Sequence, residues 1–148
     1  MALIVQKFGG TSVADLDRIR NVARRVSRTY DAGNDVVVIL SAMAGVTDNL
    51  IRMAQQVTDT PEKRELDVLL ATGEQTTAAL LAMTLRSMNY AAESILGHQA
   101  KVVTDCAFGN ARILNIGAES IKALVDRHRI AVVAGFQGCD INGNITTL

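Results

Sequence analysis

Two short apolar runs in this sequence are each followed by a loop of small residues and then by a helix with one apolar face. The first run covers residues 2–8 (ALIVQKF) and ends at Gly9 and Gly10, and the second covers residues 35–40 (DVVVIL) and ends at the loop 41–45. The second run is apolar at nearly every position rather than at alternate ones, which predicts a strand buried on both faces. Such strands occur in parallel sheets that helices cover on both sides. The sequence therefore predicts an α/β fold.

Between the predicted strands, apolar residues recur at the spacing of a helix. The predicted helices cover residues 48–57, 62–70, 75–88 and 118–127, together with one that runs from Asp15 to a stop at Gly33. We predict separate helices at 62–70 and 75–88 because the intervening Thr72-Gly73-Glu74 places a glycine and a carboxylate within an apolar helical pattern. Pro61 is expected at the start of the first helix of this pair.

Two further strands are predicted, a weak one at residues 92–96 and a clear one at residues 130–134 (IAVVA). A polar loop region is expected after the weak strand, through Asp105. Asn142-Gly143 predicts a tight hairpin turn between Asp140 and Thr146.

Three loops are expected to meet at one edge of the sheet, namely those that follow Phe8, Leu40 and Ala134. Right-handed crossovers between parallel strands place these loops at the carboxyl ends of their strands. Ligands of open parallel sheets bind at that edge. The sequence therefore predicts a binding site there.

The first of these loops, residues 7–12 (KFGGTS), is a candidate phosphate site. Its glycines let the backbone approach an anion, its N–H groups and the following helix supply positive potential, and Lys7 adds a full charge. The lysine precedes the glycines, so the motif is not a P-loop, and it is not the G-x-G-x-x-G dinucleotide fingerprint either. The alternative is a structural turn with a solvent-facing lysine.

Four other side chains are candidates for binding a ligand. Ser41 could donate a hydrogen bond at the second strand end, although turn chemistry explains that loop equally well, and Thr47 could simply cap the next helix. Glu74 could accept hydrogen bonds from a cationic group such as an α-ammonium, or could lie in the first turn of a helix. Arg112 could bind a carboxylate with both arms of its guanidinium or make a surface ion pair.

Charge and cysteine content narrow the classes of function. Fifteen Lys and Arg balance fifteen Asp and Glu, so the chain has no broad positive field for nucleic acid or an anionic membrane. No apolar run reaches the ~18 residues that a membrane helix requires. Two cysteines are too few for a disulfide framework, and the composition predicts a reduced, cytoplasmic, globular protein. The histidines and cysteines lack metal-ligand spacing, so no metal site built by the protein is expected.

Six motifs resemble, in order, the amino-terminal part of the aspartokinases, which are members of the amino acid kinase family. They are VQKFGGTSVAD (5–15), SAMAGVTDNL (41–50), LLATGEQTTAALLAM (69–83), GHQAKVVTD (97–105), FGNARI (108–113) and VAGFQGCDINGNITTL (133–148). Together they extend over essentially the whole chain. The resemblance implies a three-layer α/β/α sandwich with a mainly parallel sheet.

The resemblance also implies an activity. Aspartokinases transfer the γ-phosphoryl group of ATP to the β-carboxylate of L-aspartate, at the start of lysine, threonine and methionine biosynthesis, with Mg²⁺ bound mainly through ATP. Lys7 would then stabilise the transferring phosphoryl group as the catalytic residue. The positions that match the family's ATP and phosphate motifs are Lys7, Phe8, Gly9, Gly10, Thr11 and Ser41. Those assigned to the substrate are Ser41, Thr47, Glu74, as the partner of the α-ammonium, and Arg112.

By the same resemblance, residues 1–148 correspond to the aspartate- and phosphate-binding part of the kinase domain. The family's nucleoside-binding half and its ACT regulatory domains have no counterpart in these residues. We therefore expect the chain by itself to be inactive, and the alternative to catalysis is a fragment that binds ligand weakly or associates with itself. A homo-oligomer is expected because an exposed sheet edge favours pairing with a second copy.

Overall fold

The computed structural model describes all 148 residues, and strands alternate with helices along the chain. The strands are β1 (Leu3–Phe8), β2 (Asp35–Leu40), β3 (Ala92–Ile95), β4 (Val102–Thr104), β5 (Ile113–Ile116), β6 (Ile130–Ala134), β7 (Gln137–Cys139) and β8 (Ile145–Thr147). The helices are α1 (Leu16–Asp31), α2 (Val46–Val57), α3 (Lys63–Ser87) and α4 (Glu119–Asp126), with one 3₁₀ turn at Gly10–Val13.

The main sheet is parallel throughout, in the strand order β1-β2-β6-β3. Its register pairs Phe8 with Leu40 and Leu40 with Ala134. The carboxyl ends of the three strands β1, β2 and β6 therefore lie side by side, which confirms the predicted parallel sheet.

Helices cover both faces of the main sheet. Val36 and Val38 of β2 belong to a core formed with α1 and α3, whereas Val37 belongs to a second core formed with α4. Successive residues of a strand point to opposite faces, so a continuous apolar run such as β2 serves both cores. The fold is thus the three-layer α/β/α sandwich implied by the resemblance.

A second, smaller sheet has the strand order β5-β4-β7-β8 and is mixed, since only β4 and β7 pair in parallel. The hairpin of β7 and β8 confirms the predicted turn, and Gly143 takes a left-handed conformation within it (φ 82°). The sequence did not predict β4 and β5. β4 has three residues and β5 has four, so neither is long enough for a strand pattern to be recognised in the sequence.

The predicted break at Thr72-Gly73-Glu74 is wrong, because α3 is one continuous helix of 25 residues. Glu74 therefore lies in the helix interior and not in a first turn. Gly73 is buried where α3 crosses the loop after β2, and a Cβ at this position would lie 2.9 Å from the Cβ of Ala42. The glycine thus allows close packing of helix and loop and does not end the helix.

By length and composition, α3 is also the one helix long and apolar enough to cross a membrane. Half of the most apolar 18-residue stretch of this helix is buried inside the fold, where α3 packs against the main sheet and β8. A core helix of a globular protein passes the same test, so its packing accounts for its apolar character.

Candidate functional site

The loops after β1, β2 and β6 meet at one edge of the main sheet, as predicted. The backbone N–H of Ser41 donates to the carbonyl of Phe8 at 3.2 Å, and that of Gly135 donates to the carbonyl of Leu40 at 2.9 Å. A Cβ at Gly135 would lie 2.9 Å from the same Leu40 carbonyl oxygen, which explains a glycine there. These contacts extend the sheet pairing into the loops and hold them in fixed positions.

The glycine loop after β1 folds into the 3₁₀ turn before α1. A Cβ at Gly10 would lie 3.0 Å from the carbonyl oxygen of Ala42, so the absence of a side chain lets this loop approach the loop after β2. The carbonyl of Thr11 accepts a hydrogen bond from the Arg18 guanidinium at 2.8 Å. Gly9 is exposed, and so is open to a ligand.

Lys7 and Phe8 leave β1 on opposite faces. Phe8 is buried in the core beneath α1, with the Arg25 guanidinium over its ring, so only its backbone reaches the sheet edge. Lys7 lies beside Ile39 in the parallel register, is exposed, and forms no ion pair. Its ammonium group is therefore free to bind an anion at this edge.

A pocket of about 270 Å³ opens beside the loop after β2. It is lined by Ser41, Ala42, Thr47, Glu74 and Phe136. Three of these, Ser41, Thr47 and Glu74, are residues that the sequence marked for substrate. Thr47 is in the first turn of α2 and Glu74 is in the middle of α3, so the pocket joins two helices to the sheet edge.

Glu74 is the buried acid of this pocket, with only 3% of its surface exposed. Its Oε1 accepts a hydrogen bond from the backbone N–H of Ala42 at 3.2 Å. Its Oε2 is buried and has no hydrogen-bond partner. Burial raises the pKa of Glu74, and hydrogen bonds from its own backbone N–H and from that of Ala42 oppose the rise. A cationic ligand in the pocket would supply the missing partner and remove the cost of burial.

Phe136 is the pocket residue that the sequence did not identify. It follows β6 in a left-handed conformation (φ 66°) that a bulky side chain rarely adopts, and its side chain remains partly exposed. Phe136 also lines a neighbouring pocket of about 300 Å³, which includes Asp67 and Thr147. A glycine-rich turn after a strand was the only signal for this residue, and it gave no indication of the backbone angle.

Arg112 does not line the pocket of Glu74. It lies just before β5, where its backbone N–H donates to the Asp105 carboxylate at 3.2 Å. Its side chain is exposed and forms neither an ion pair nor a hydrogen bond. The structure therefore brings together the Ser41, Thr47 and Glu74 positions but places Arg112 outside that group.

No three His, Cys, Asp or Glu side chains converge in a group that could hold a metal ion. His128 pairs with Asp35 at the amino end of β2, at the opposite end of that strand from the glycine loop, at 3.0 Å. Both cysteines are free thiols.

Comparison with known proteins assigns the chain to a family. A profile of the amino acid kinase family matches residues 2–147. The chain belongs to the amino acid kinase family. This result confirms the family assignment that was based on the six motifs.

The curated relatives of this chain include aspartokinases. It is 55% identical to an aspartokinase of Bacillus sp. (strain MGA3) and 53% identical to an aspartate kinase of Pseudomonas putida, each over 148 residues. Each alignment covers 100% of this chain and 36% of the relative. The chain thus spans about a third of the length of the curated relatives it matches.

Solved structures agree with this assignment. An aspartate kinase from Synechocystis superposes with a TM-score of 0.80 at 41% identity, over 99% of this amino acid kinase and 24% of that chain. Aspartokinase III of E. coli, solved in complex with aspartate and ADP, superposes with a TM-score of 0.84 at 22% identity, over 100% of this chain and 43% of that one. At this identity the second likeness shows the shared fold.

Proposed function

We propose that this chain is the aspartate- and phosphate-binding part of an aspartate kinase. Such an enzyme transfers the γ-phosphoryl group of ATP to the β-carboxylate of L-aspartate and yields 4-phospho-L-aspartate and ADP. The observation that carries the proposal is the unpartnered Oε2 of Glu74, a buried carboxylate oxygen in a pocket of the sheet edge. Relatives that are 53–55% identical over the whole chain and are named aspartokinases support this substrate.

The pocket of Glu74 fits the α-ammonium group of an amino acid. An ammonium group carries three N–H donors and a full positive charge, and the Glu74 carboxylate offers both a free acceptor and the opposite charge. Ser41 and Thr47 add hydroxyl groups to the same wall. A small polar substrate with one cationic end would satisfy all three side chains.

The glycine loop would hold the phosphoryl group that moves. Lys7 and the exposed backbone around Gly9 face no protein anion and lie next to the Ser41 loop. The β-carboxylate of aspartate is already ionised at neutral pH, so the reaction needs no general base. These residues would position the two reactants and neutralise charge on the transferring group.

ATP would be the phosphoryl donor, accompanied by Mg²⁺. As in the family that the chain resembles, Mg²⁺ would bind mainly through the phosphates of ATP and offset their charge. The nucleoside would contact parts of the enzyme that these 148 residues do not include. We further propose a cytoplasmic enzyme of lysine, threonine and methionine biosynthesis.

A chimera tests this proposal. Residues 1–148 replace the matching 36% of the Bacillus aspartokinase, and aspartyl phosphate is trapped as its hydroxamate. We expect ATP- and L-aspartate-dependent hydroxamate formation by the chimera. A folded chimera that forms no hydroxamate, although its Bacillus parent does, would contradict the proposal.

The alternative is that the chain by itself only binds ligand or associates with itself. The chain spans 36% of its relatives, which favours this behaviour for the isolated polypeptide. The same hydroxamate assay on the 148-residue chain distinguishes the two cases. We expect no turnover from the isolated chain, and robust turnover would rule out the alternative.

A further inference from the structure

Asp67 is a fully buried acid that the proposed reaction does not use. None of its surface is exposed, and no cationic side chain pairs with it. Its Oδ1 accepts a hydrogen bond from the Thr147 hydroxyl at 2.7 Å. Its Oδ2 accepts hydrogen bonds from the backbone N–H groups of Thr147, at 2.9 Å, and Gly109, at 3.0 Å. A buried carboxylate without a counterion is costly, so its position on α3 calls for an explanation.

The hydrogen bonds of Asp67 continue to the wall of the Glu74 pocket. Thr147 is the last residue of β8, and the backbone N–H of the next residue, Leu148, donates to the carbonyl of Phe136 at 3.0 Å. Phe136 is held there in its left-handed conformation and lines the pocket with Glu74. Thus two hydrogen-bonded steps connect the carboxylate of Asp67 to Phe136.

A single face of α3 holds both acids. Asp67 and Glu74 are seven residues apart, which is two helical turns, so they lie above one another on the helix. Between them the carbonyl of Ala71 accepts a hydrogen bond from the Gln137 side chain at 2.9 Å. Gln137 follows Phe136 in sequence. The Phe136 turn is therefore connected to α3 twice, through Gln137 and through the end of β8.

We propose that Asp67 is a positioning residue for the Glu74 pocket. Its carboxylate fixes the end of β8 against α3 and thereby fixes Phe136 at the correct distance from Glu74. The identity of the substrate that binds in this pocket rests on the proposed function. The effect of Asp67 on the position of Phe136 does not.

Three variants test this role. Asp67→Ala leaves the N–H groups of Thr147 and Gly109 without acceptors. Asp67→Asn keeps an acceptor for both N–H groups and can donate from its amide to the Thr147 hydroxyl, which is also an acceptor. Thr147→Val removes only the hydroxyl bond and is the milder change if Asp67→Ala fails to fold.

A matched control perturbs the same sheet elsewhere. The Thr104 and Thr146 hydroxyls form a buried hydrogen bond of 2.6 Å between β4 and β8. Thr104→Val removes this bond and leaves Asp67 untouched. We expect it to lower the melting temperature without a change in L-aspartate affinity, since it moves neither Thr147 nor Phe136.

The measurements are L-aspartate affinity by NMR titration of the 148-residue chain and hydrogen exchange of the Leu148 amide. We expect Asp67→Ala to weaken L-aspartate binding about tenfold or more and to speed Leu148 exchange by a similar factor, because lost partners of buried groups cost this much. Thr147→Val should also weaken L-aspartate binding and speed Leu148 exchange, but by a smaller factor than Asp67→Ala. Asp67→Asn should restore both to within about threefold of the wild type.

Two results would overturn the proposal. One is Asp67→Ala or Thr147→Val with unchanged Leu148 exchange and unchanged Phe136 ring resonances. The other is wild-type affinity in Asp67→Ala, or an equal loss of affinity in Thr104→Val. Failure of the wild-type chain to bind L-aspartate would count against the proposed substrate instead, and the exchange and ring measurements would still decide the role of Asp67.

Discussion

The backbone N–H of Ala42 donates a hydrogen bond of 3.2 Å to Oε1 of Glu74 and so joins the loop after β2 to the middle of α3. The two residues are 32 positions apart in sequence. This bond fixes one carboxylate oxygen and leaves the other, Oε2, without a partner in the pocket. The orientation of the acid is therefore set before any ligand arrives, which lowers the entropy cost of binding a cationic group.

Replacement of Glu74 by Gln should weaken L-aspartate binding by about 10- to 100-fold, because a hydrogen bond to a charged group contributes about 1.5–3 kcal/mol. The amide keeps an acceptor for Ala42 but lacks the negative charge for the ammonium group. Calorimetric or NMR titration with L-aspartate measures the loss. Glu65→Gln, on the exposed side of the same helix, is the matched control and should bind normally. Equal affinity in Glu74→Gln and wild type would remove Glu74 from the site.

Glu74 should also make stability depend on pH. Burial raises its pKa above the usual 4.5, so the folded chain holds more protons than the unfolded chain between these two values. The contribution of Glu74 to stability is therefore greatest below pH 4.5 and falls as pH rises through the raised pKa. Unfolding by urea from pH 4 to about 7.5 should show Glu74→Gln gaining stability relative to the wild type as pH increases. A constant difference between the two proteins over this range would contradict the prediction.

Gly73→Ala should destabilise the fold although alanine is the better helix former. The helix would gain about 1 kcal/mol in propensity, but the new Cβ would lie 2.9 Å from that of Ala42, and such overpacking costs about 1–3 kcal/mol. The loop would also shift away from Glu74 and weaken ligand binding.

Ala42→Gly supplies the control for that change. In the double variant the second Cβ is gone, so stability and L-aspartate affinity should return toward the wild-type values. A double-mutant cycle measured by urea unfolding should give a favourable coupling of these two residues. Additive effects of the two substitutions would show that the contact is not the cause.

Lys7→Ala in the chimera with the Bacillus aspartokinase should reduce kcat by roughly 100-fold or more, the usual effect of a missing charge at an oxyanion or phosphoryl group. L-aspartate affinity should change little, since Glu74 binds the amino acid. Lys122→Ala, on the exposed side of α4, is the control and should leave kcat unchanged. Turnover near that of the unmodified chimera would exclude the proposed role of Lys7.

The chain should associate with itself through β1. This strand is an edge of the main sheet, and Leu3 and Val5 on its uncovered face are more than half exposed. An apolar edge strand pairs readily with another chain, and β1 already carries one lysine, Lys7, so that a second charge in place of Val5 should prevent pairing. Light scattering should show a concentration-dependent dimer that Val5→Lys dissociates. Val57→Lys, at a more exposed valine on α2, should not affect it, and a dimer that persists in Val5→Lys would place the contact elsewhere.

Most of the main sheet could be predicted from the sequence because its signals are local. The continuous apolar run of β2, the amphipathic spacing of α1 and the stop at Gly33 each depend on neighbouring residues. The same holds for the sheet edge, because parallel strands must end side by side. Ser41 was identified as a candidate because it follows a predicted strand, and Glu74 because a carboxylate interrupts an apolar helical pattern. The six motifs gave the family and the substrate role of Thr47.

Other features depend on contacts between distant residues. The glycine and acid at 73–74 predicted a helix break, yet the helix continues. Gly73 packs on Ala42, and the carboxylate of Glu74 accepts a hydrogen bond from the backbone N–H of Ala42. The backbone angle of Phe136 was not visible in the sequence either, since it is held by Leu148 from β8.

The sequence by itself thus determined which segments form strands and helices, which end of the sheet carries the polar loops, and the family to which the chain belongs. The tertiary structure alone decided that α3 is unbroken, that Glu74 keeps one free buried oxygen, and that Asp67 connects β8 to the same helix. The physical reason is that local patterns report burial and backbone preference, whereas a buried polar group is positioned by partners that only folding brings within hydrogen-bonding distance.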